Sequence, residues 1–302
     1  MEDILPYAIY NALKKLNYKG VYELRLRATK PCVINYYNNL YYLSHQGITN
    51  IKQNAIICDL EDIGFIINAA SNCSIYAINE QLKKGYLTIQ GGIRIGIVGQ
   101  VVTENDKVIT VKNFSSLNIR FPHQILGVAD NVMQYLIDNE DVCNTLIVSP
   151  AGAGKTTLLR DCVRVLSSTY NKNVLVIDER NEITSSVNGV MQMNLGDFCD
   201  VIVSSNKTDG FNNGIRSMCP DVIATDEIGT FEDFKVIEYA ISCGVSVFAT
   251  IHAKNINQLK QKQSMQYMIE NKLFDRYIVL SNRSGKGTIE GVFNQDFINI
   301  ME

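Results

Sequence analysis

The sequence predicts an α/β protein, a parallel doubly wound sheet preceded by a smaller α+β domain. Three observations carry this. From Ile125 onward, short β-branched runs alternate with helical patterns, as crossover units between parallel strands require. One run, Thr145–Val148, leads into Ser149-Pro-Ala-Gly-Ala-Gly-Lys-Thr156 and then a helix. Two further runs end in adjacent carboxylates, Asp178-Glu179 and Asp226-Glu227.

In chain order, MEDILPYAIYNALKKL reads as an amphipathic helix with acids at its start and lysines at its end. Tyr22–Ala28 (YELRLRA) alternates apolar and basic residues and predicts a strand with one wet, positive face. Val33–Tyr37 and Asn39–Leu43 predict a hairpin turning near Asn38 and Asn39. Leu60–Lys84 suggests two helices, the second from Ser74 to a Lys-Lys-Gly stop. In GYLTIQGGIRIGIVGQVV, Gly91-Gly92 signals a turn, and Gly96 and Gly99 a bent or bulged strand. Lys112–Pro122 (KNFSSLNIRFP) is polar and ends in proline, which places the domain junction there.

Beyond the junction, Thr145–Val148 predicts a first buried strand and Lys155 to Ser168 a helix. Val174–Ile177, Val222–Thr225 and Val245–Thr250 predict three more strands, with a helix at Glu232–Ser242. Tyr277–Ser281 and Thr288–Phe293 flank NRSGKG and predict a terminal hairpin.

Composition bounds the function. A 302-residue chain that is 46% hydrophobic and 20% charged can bury two ordinary cores. With a net charge of −3 and a pI near 5.7, it has no global positive field for nucleic acid or an anionic membrane. The absence of Trp, with abundant Tyr, Ile, Asn and Lys, fits an AT-rich genome better than any function. Eight cysteines include no C-x-x-C pair and only three histidines accompany them, a poor basis for a zinc site. Cysteines in apolar runs, such as Cys162 and Cys243, are expected to be small buried hydrophobes in a reducing, cytoplasmic compartment. The N-terminus lacks the basic region and cleavage site of a signal peptide. No apolar run approaches the roughly 18 residues of a membrane span.

The segment Ser149–Thr156 follows a strand and opens a helix, the context in which backbone N–H groups cradle phosphates. Gly152 and Gly154 allow close backbone approach, with Pro150, Ala151 and Ala153 completing the loop. Lys155 is expected to reach the β- and γ-phosphates of ATP, Thr156 to hold Mg²⁺, and Thr157 to extend the first helical turn. Ser149 stands where the motif has its first glycine. Asp226 is the candidate water-mediated Mg²⁺ ligand and Glu227 the residue that polarises the attacking water. Such a pair also caps helices, and the nearby P-loop tips the balance toward function. Asp178 and Glu179 end the second strand; one of the two acid pairs serves the metal and the other supports it. The spacing favours a strand inserted between the P-loop strand and the Asp226 strand. His252, after the fourth strand, is placed to contact the γ-phosphate or the attacking water.

Taken together, SPAGAGKTTLLRD, VLVIDERNEI, IRSMCPDVIATDEIG and FATIHAKN resemble the stage III sporulation protein AA family. YELRLRATKP, SIYAINEQLKKGYLTIQGGIRIGIVGQ and SLNIR extend the resemblance over nearly the whole chain. That family is related to the motor ATPases of type II secretion, type IV secretion and pilus retraction. The resemblance implies a cytosolic, hexameric ATPase docked on a membrane-embedded, secretion-like channel between mother cell and forespore. It implies Walker A roles for Lys155 and Thr156, Walker B roles for Asp226 and Glu227, an Asp-box role for Glu179 and a His-box role for His252. Arg94 in GGIRIG and Arg120 in SLNIR match the arginines that relatives bring to the nucleotide from the N-terminal domain and linker; Arg216 is a third candidate. An interdomain salt bridge or a solvated strand face accounts for either of the first two equally well. Ser149 for glycine, Ile93 where histidine is frequent, and Ala253 where glycine is usual depart from the family pattern.

The expectation is therefore an α+β domain over 1–115, a linker over 116–125 and a RecA-like P-loop ATPase domain over 126–302. The expected cofactors are ATP and Mg²⁺; the expected partners are further copies of the chain and channel subunits, with no nucleic acid. The alternatives are a nucleic-acid-directed P-loop protein, which the basic strand YELRLRATK would serve, and a nucleotide-sensing scaffold that binds without turnover, against which Glu227 speaks.

Overall fold

The computed structural model describes residues 1–71, 78–83, 85–104, 106–203 and 205–301, and the chain divides into two units, Met1–His123 and Gln124–Glu302. In the first unit Pro6 precedes helix α1 (Tyr7–Lys14), which buries Ile9 and Ala12. Strand β1 (Val21–Arg27) alternates as expected, with Leu24 and Leu26 buried and Arg25 and Arg27 exposed. Strands β2 (Val33–Tyr36) and β3 (Asn39–Ser44) form the predicted hairpin. Its turn residues are Tyr37 and Asn38, at φ 48° and 64°, one position earlier than the asparagine pair suggested. β4 (Gly47–Thr49) extends the meander. Helix α2 (Leu60–Ala70) opens with a reciprocal cap between Asp59 and Asp62. Helix α3 is described over Asn79–Lys83; the helix start expected at Ser74 lies outside the described residues.

β5 (Tyr86–Ile89), β6 (Ile93–Glu104) and β7 (Lys107–Arg120) complete an antiparallel sheet in the order β4-β3-β2-β1-β7-β6-β5. The bulge anticipated at Gly99 falls between Val98 and Gln100. The polar stretch read as a junction is instead the long strand β7, so residues 116–120 belong to the sheet and not to a linker. Val111, Leu117 and Ile119 are buried while Lys112, Asn113 and Ser115 are exposed, which is why the segment resembled a loop.

The second unit is built on a seven-stranded sheet in the order β10-β9-β11-β12-β8-β13-β14. These strands are β8 (Thr145–Ser149), β9 (Val174–Asp178), β10 (Cys199–Val203), β11 (Val222–Thr225), β12 (Ser246–His252), β13 (Arg276–Ser281) and β14 (Thr288–Asn294). All neighbours pair in parallel except the β13–β14 hairpin. β12 lies between the P-loop strand β8 and the Asp226 strand β11, the inserted strand that the spacing favours. Helices α4 (Asp130–Leu136) and α5 (Lys155–Ser168) cover one face, packing on Ile147, Val176 and Ala224. Helices α6 (Lys207–Met218) and α7 (Phe231–Ser242) cover the other, on Val148, Ile177 and Ile223. Among the described residues no helix is long and apolar enough to cross a membrane. Cys162 is buried as expected, whereas Cys243 follows the end of α7 and is exposed, correcting its assignment to the core; Cys73 lies outside the described residues.

Two of the elements that went unread in the sequence bear on the site. β10 (Cys-Asp-Val-Ile-Val) is a half-exposed edge strand whose short apolar run was not read as a strand. Helix α6 carries Gly210 and Gly214, poor helix formers. A Cβ at Gly214 would come within 2.2 Å of Leu175 Cδ2, and one at Gly210 within 2.8 Å of Ile177 Cγ2, so the glycines let α6 lie close against β9. Gly214→Ala is therefore expected to destabilise by about 1–2 kcal/mol in urea unfolding, because overpacking a buried leucine outweighs the gain of about 1 kcal/mol in helix propensity.

Candidate functional site

Four adjacent parallel strands deliver their carboxyl ends to one edge of the second sheet. β8 ends at Ser149, paired directly with His252 at the end of β12. Asp226 and Glu227 follow β11, and Asp178 closes β9. Ser149 is buried; its Oγ donates to the Pro150 carbonyl (3.0 Å) and its own carbonyl accepts the Ala253 N–H (3.2 Å). Serine is thus accommodated where the motif has glycine. The loop Pro150–Gly154 turns through Gly152 and Gly154, at φ 73° and 90°, a region that glycine enters without steric cost. Helix α5 then begins at Lys155 with no side-chain cap, leaving its first-turn N–H groups, those of Lys155, Thr156 and Thr157, without intrahelical partners. That is the electrostatic requirement for an anion at the helix start.

Lys155 and Glu227 meet at this edge, Nζ to Oε1 at 3.0 Å. His252 Nε2 lies 3.3 Å from both Lys155 Nζ and Glu227 Oε1. Arg180 donates to the other oxygen, Glu227 Oε2, at 2.5 Å. Glu227 adopts φ 46°, a left-handed conformation unusual outside glycine, and its N–H donates to Thr250 Oγ1 at 2.9 Å. Burial pushes the Glu227 carboxyl up, but the hydrogen bond and charge of Lys155, with the charges of Arg180 and His252, outweigh it and hold the group below the ordinary glutamate value.

Asp226 behaves oppositely. It is 2% exposed, and among the described residues its Oδ2 has no hydrogen-bond partner. Burial, reinforced by the carboxylates of Asp178, Glu182 and Glu227, pushes it up to about 6. A buried carboxylate oxygen without a partner among the described residues suits a hard cation, which oxygen ligands bind. Asp178, by contrast, is fully engaged: it accepts from the N–H groups of Glu182, Ile183 and Thr184 and from the Thr184 hydroxyl, at 2.8 to 3.1 Å. Glu179 is half-exposed and paired with Lys207 Nζ at 2.8 Å. Of the two acids ending β9, Asp178 shapes the following loop and Glu179 remains at the open edge.

Arg94 and Arg120 belong to the N-terminal sheet, where they are direct cross-strand partners on β6 and β7. The Arg94 guanidinium lies 3.7 Å from the centre of the Tyr86 ring. Arg216 is exposed in the last turn of α6. Nine residues of helix, about 13 Å, separate it from Lys207, which pairs with Glu179.

Sequence reasoning missed several contributors. Arg160, on α5, donates from its buried guanidinium to the carbonyls of Ile183 (2.7 Å) and Glu182 (2.8 Å), tying the P-loop helix to the loop after β9. Burial lowers its pKa, opposed by Asp178 and Asp226. The terminal hairpin also reaches the P-loop, where the Gly287 N–H donates to the Ala153 carbonyl at 3.1 Å. A cleft of about 390 Å³ opens there, lined by Gly154, Lys155 and Thr156 at one end and by Ile125, Val128, Leu280 and Ile289 as apolar wall. The turn NRSGKG announced a hairpin, but not that its first strand would pair with β8.

Ionising Asp226 opposes folding of the metal-free, nucleotide-free protein. A carboxyl with its folded pKa raised to about 6 contributes most stability below pH 4 and loses it as pH rises through 6. Asp226→Asn is therefore expected to match wild type in chemical denaturation near pH 4 and to be more stable at pH 7, by at most about 3 kcal/mol.

The profile of the family described as "Sporulation stage III, protein AA" matches residues 2–300. Stage III sporulation protein AA of Bacillus subtilis (strain 168) is 38% identical, over 97% of this chain and 94% of its own length. Among solved structures, the pilus retraction motor PilT with bound ADP aligns with TM-score 0.59 at 16% identity, over 91% of this chain and 78% of that one. The Legionella pneumophila ATPase DotB aligns with TM-score 0.53 at 16% identity, over 89% and 74%. At that identity the likeness is one of fold, and the fold is the RecA-like P-loop architecture of secretion and pilus ATPases. By family profile and by identity along its length, this chain belongs to the sporulation stage III protein AA family.

Proposed function

We propose that the chain is a Mg²⁺-dependent ATPase, acting as an oligomeric motor on a membrane-embedded, secretion-like channel during endospore formation. The observation that carries the reading is the junction of Lys155, Glu227 and His252 at an uncapped helix start. Polyphosphate is the ligand such a start accepts. The loop from Pro150 through Ala151, Gly152, Ala153 and Gly154 would wrap the phosphates, with Lys155 and the N–H groups of Thr156 and Thr157 directed at them. The apolar wall of Ile125, Val128, Leu280 and Ile289 suits the base.

Thr156 and Asp226 would hold Mg²⁺, which supplies charge neutralisation at the β- and γ-phosphates. Lys155 cannot serve both Glu227 and the phosphates fully, so nucleotide binding draws the ammonium toward the substrate and frees Glu227 Oε1. Glu227 then takes a proton from water as the water oxygen attacks the γ-phosphorus and the bond to the bridging oxygen breaks, giving ADP and phosphate. His252, beside both groups, is positioned to sense the γ-phosphate, and Glu179 to support the metal side. Arg94 and Arg120 are proposed as the cations that the N-terminal unit supplies against charge developing on the γ-phosphate.

Lys155→Ala is expected to abolish binding of a fluorescent ATP analogue. Glu227→Gln is expected to bind ATP while losing at least about a hundredfold in turnover. Unchanged steady-state phosphate release from Glu227→Gln would sink the reading. ATP with Mg²⁺ is also expected to raise the molar mass by light scattering; a monomer at high protein concentration with both present counts against a ring.

A further inference from the structure

Two cations share Glu227, and they are not equivalent. Lys155 Nζ takes Oε1 at 3.0 Å from a flexible stem at the start of α5, where a bound triphosphate competes for it. Arg180 NH1 takes Oε2 at 2.5 Å from a different element, the loop after β9. That loop is held firmly. Asp178 accepts three of its backbone N–H groups, and Asn181 exchanges two hydrogen bonds with the backbone of Ser186, at 2.6 and 2.7 Å. Arg160 anchors the same loop from beneath through the carbonyls of Glu182 and Ile183. Arg180 thus springs from a braced base, while its side chain, 60% exposed, reaches Glu227 at the open edge of the site.

Glu227 needs such a partner. Its backbone is set by the left-handed φ and by the bond to Thr250, but its carboxylate is only partly buried, and its side-chain contacts among the described residues are Lys155, Arg180 and His252. When nucleotide draws Lys155 away, Oε1 loses its strongest partner. Arg180 can stay, because its loop is braced independently of the P-loop lysine.

We infer that Arg180 is the positioning residue for the candidate base, gripping Glu227 Oε2 so that Oε1 faces the attacking water once Lys155 has moved to the phosphates. The inference rests on the ATPase reading and deepens it. Arg180 contributes little to stability as an exposed ion pair, so its loss appears in turnover and not in folding. A misaimed general base costs rate without weakening the ground-state complex.

The test compares wild type, Arg180→Ala and Arg180→Lys by steady-state phosphate release with Mg²⁺ and by affinity for a non-hydrolysable ATP analogue, with melting temperature as the check on folding. Arg180→Ala is expected to lose about ten- to a hundredfold in kcat while its analogue Kd stays within about threefold of wild type. Arg180→Lys, which keeps a charge and an N–H donor, recovers most of the loss. A kcat for Arg180→Ala within about twofold of wild type, a loss of analogue affinity equal to the loss of kcat, or a lysine variant no better than alanine each overturns the inference. A wild-type chain that binds the analogue yet releases no phosphate overturns the ATPase reading, and this inference with it.

Discussion

Parallel strands share a direction, so their carboxyl ends, and the loops that leave them, gather on one edge of the sheet. In the second unit that edge receives the P-loop from β8, His252 from β12, Asp226 and Glu227 from β11, and the Asp178–Arg180 segment from β9. The residues lie far apart in the chain, and the hydrogen-bond ladder of the sheet sets their spacing. The uncapped start of α5 opens on the same edge. Every charge in the site answers to this arrangement, because one small region then holds several carboxylates, an electropositive helix end and the cations that balance them.

Neighbouring carboxylates divide the work according to what each faces. Asp226 continues the line of β11 into the buried layer, where Asp178 and Glu182 repel it and Oδ2 finds no donor among the described residues. Glu227 turns out of that line through its left-handed φ, toward Lys155, Arg180 and His252. One group is made costly to ionise and suited to a cation; the other is kept ionised and suited to accept a proton. This divergence of adjacent acids is a familiar basis for separate catalytic roles. Beneath them, Arg160 and Asp178 stitch the P-loop helix to the loop after β9, so the two halves of the site are braced as one piece.

The N-terminal unit follows a different logic. Its sheet is antiparallel, with one face on a core and the other wet, and strand alternation sorts the side chains. Arg25 and Arg27 project from β1, and Arg94 and Arg120 lie side by side on adjacent strands. Like charges placed directly opposite repel. Stacking of Arg94 on Tyr86 offsets part of this cost.

The sequence by itself determined the class of fold, the four central strands, the P-loop and the acids at the strand ends. Those features are local: a run of β-branched residues, a glycine-bearing loop and a carboxylate pair each carry their signal within a few positions. It also marked Lys155, Thr156, Asp226, Glu227 and His252 as a candidate constellation, since their order along strand ends implies a common edge. Only the tertiary structure decided the rest. β7 looked like a linker because half of its side chains face water, and its identity as a strand rests on partners to either side. Helix α6 contradicts its own propensity, and the space above Leu175 and Ile177 explains its glycines. The separate fates of Asp178 and Glu179, the left-handed turn at Glu227, the grip of Arg180 and the reach of the terminal hairpin to Ala153 are contacts between segments distant in sequence. Such contacts depend on which strands lie side by side, and no local pattern of residues encodes that order.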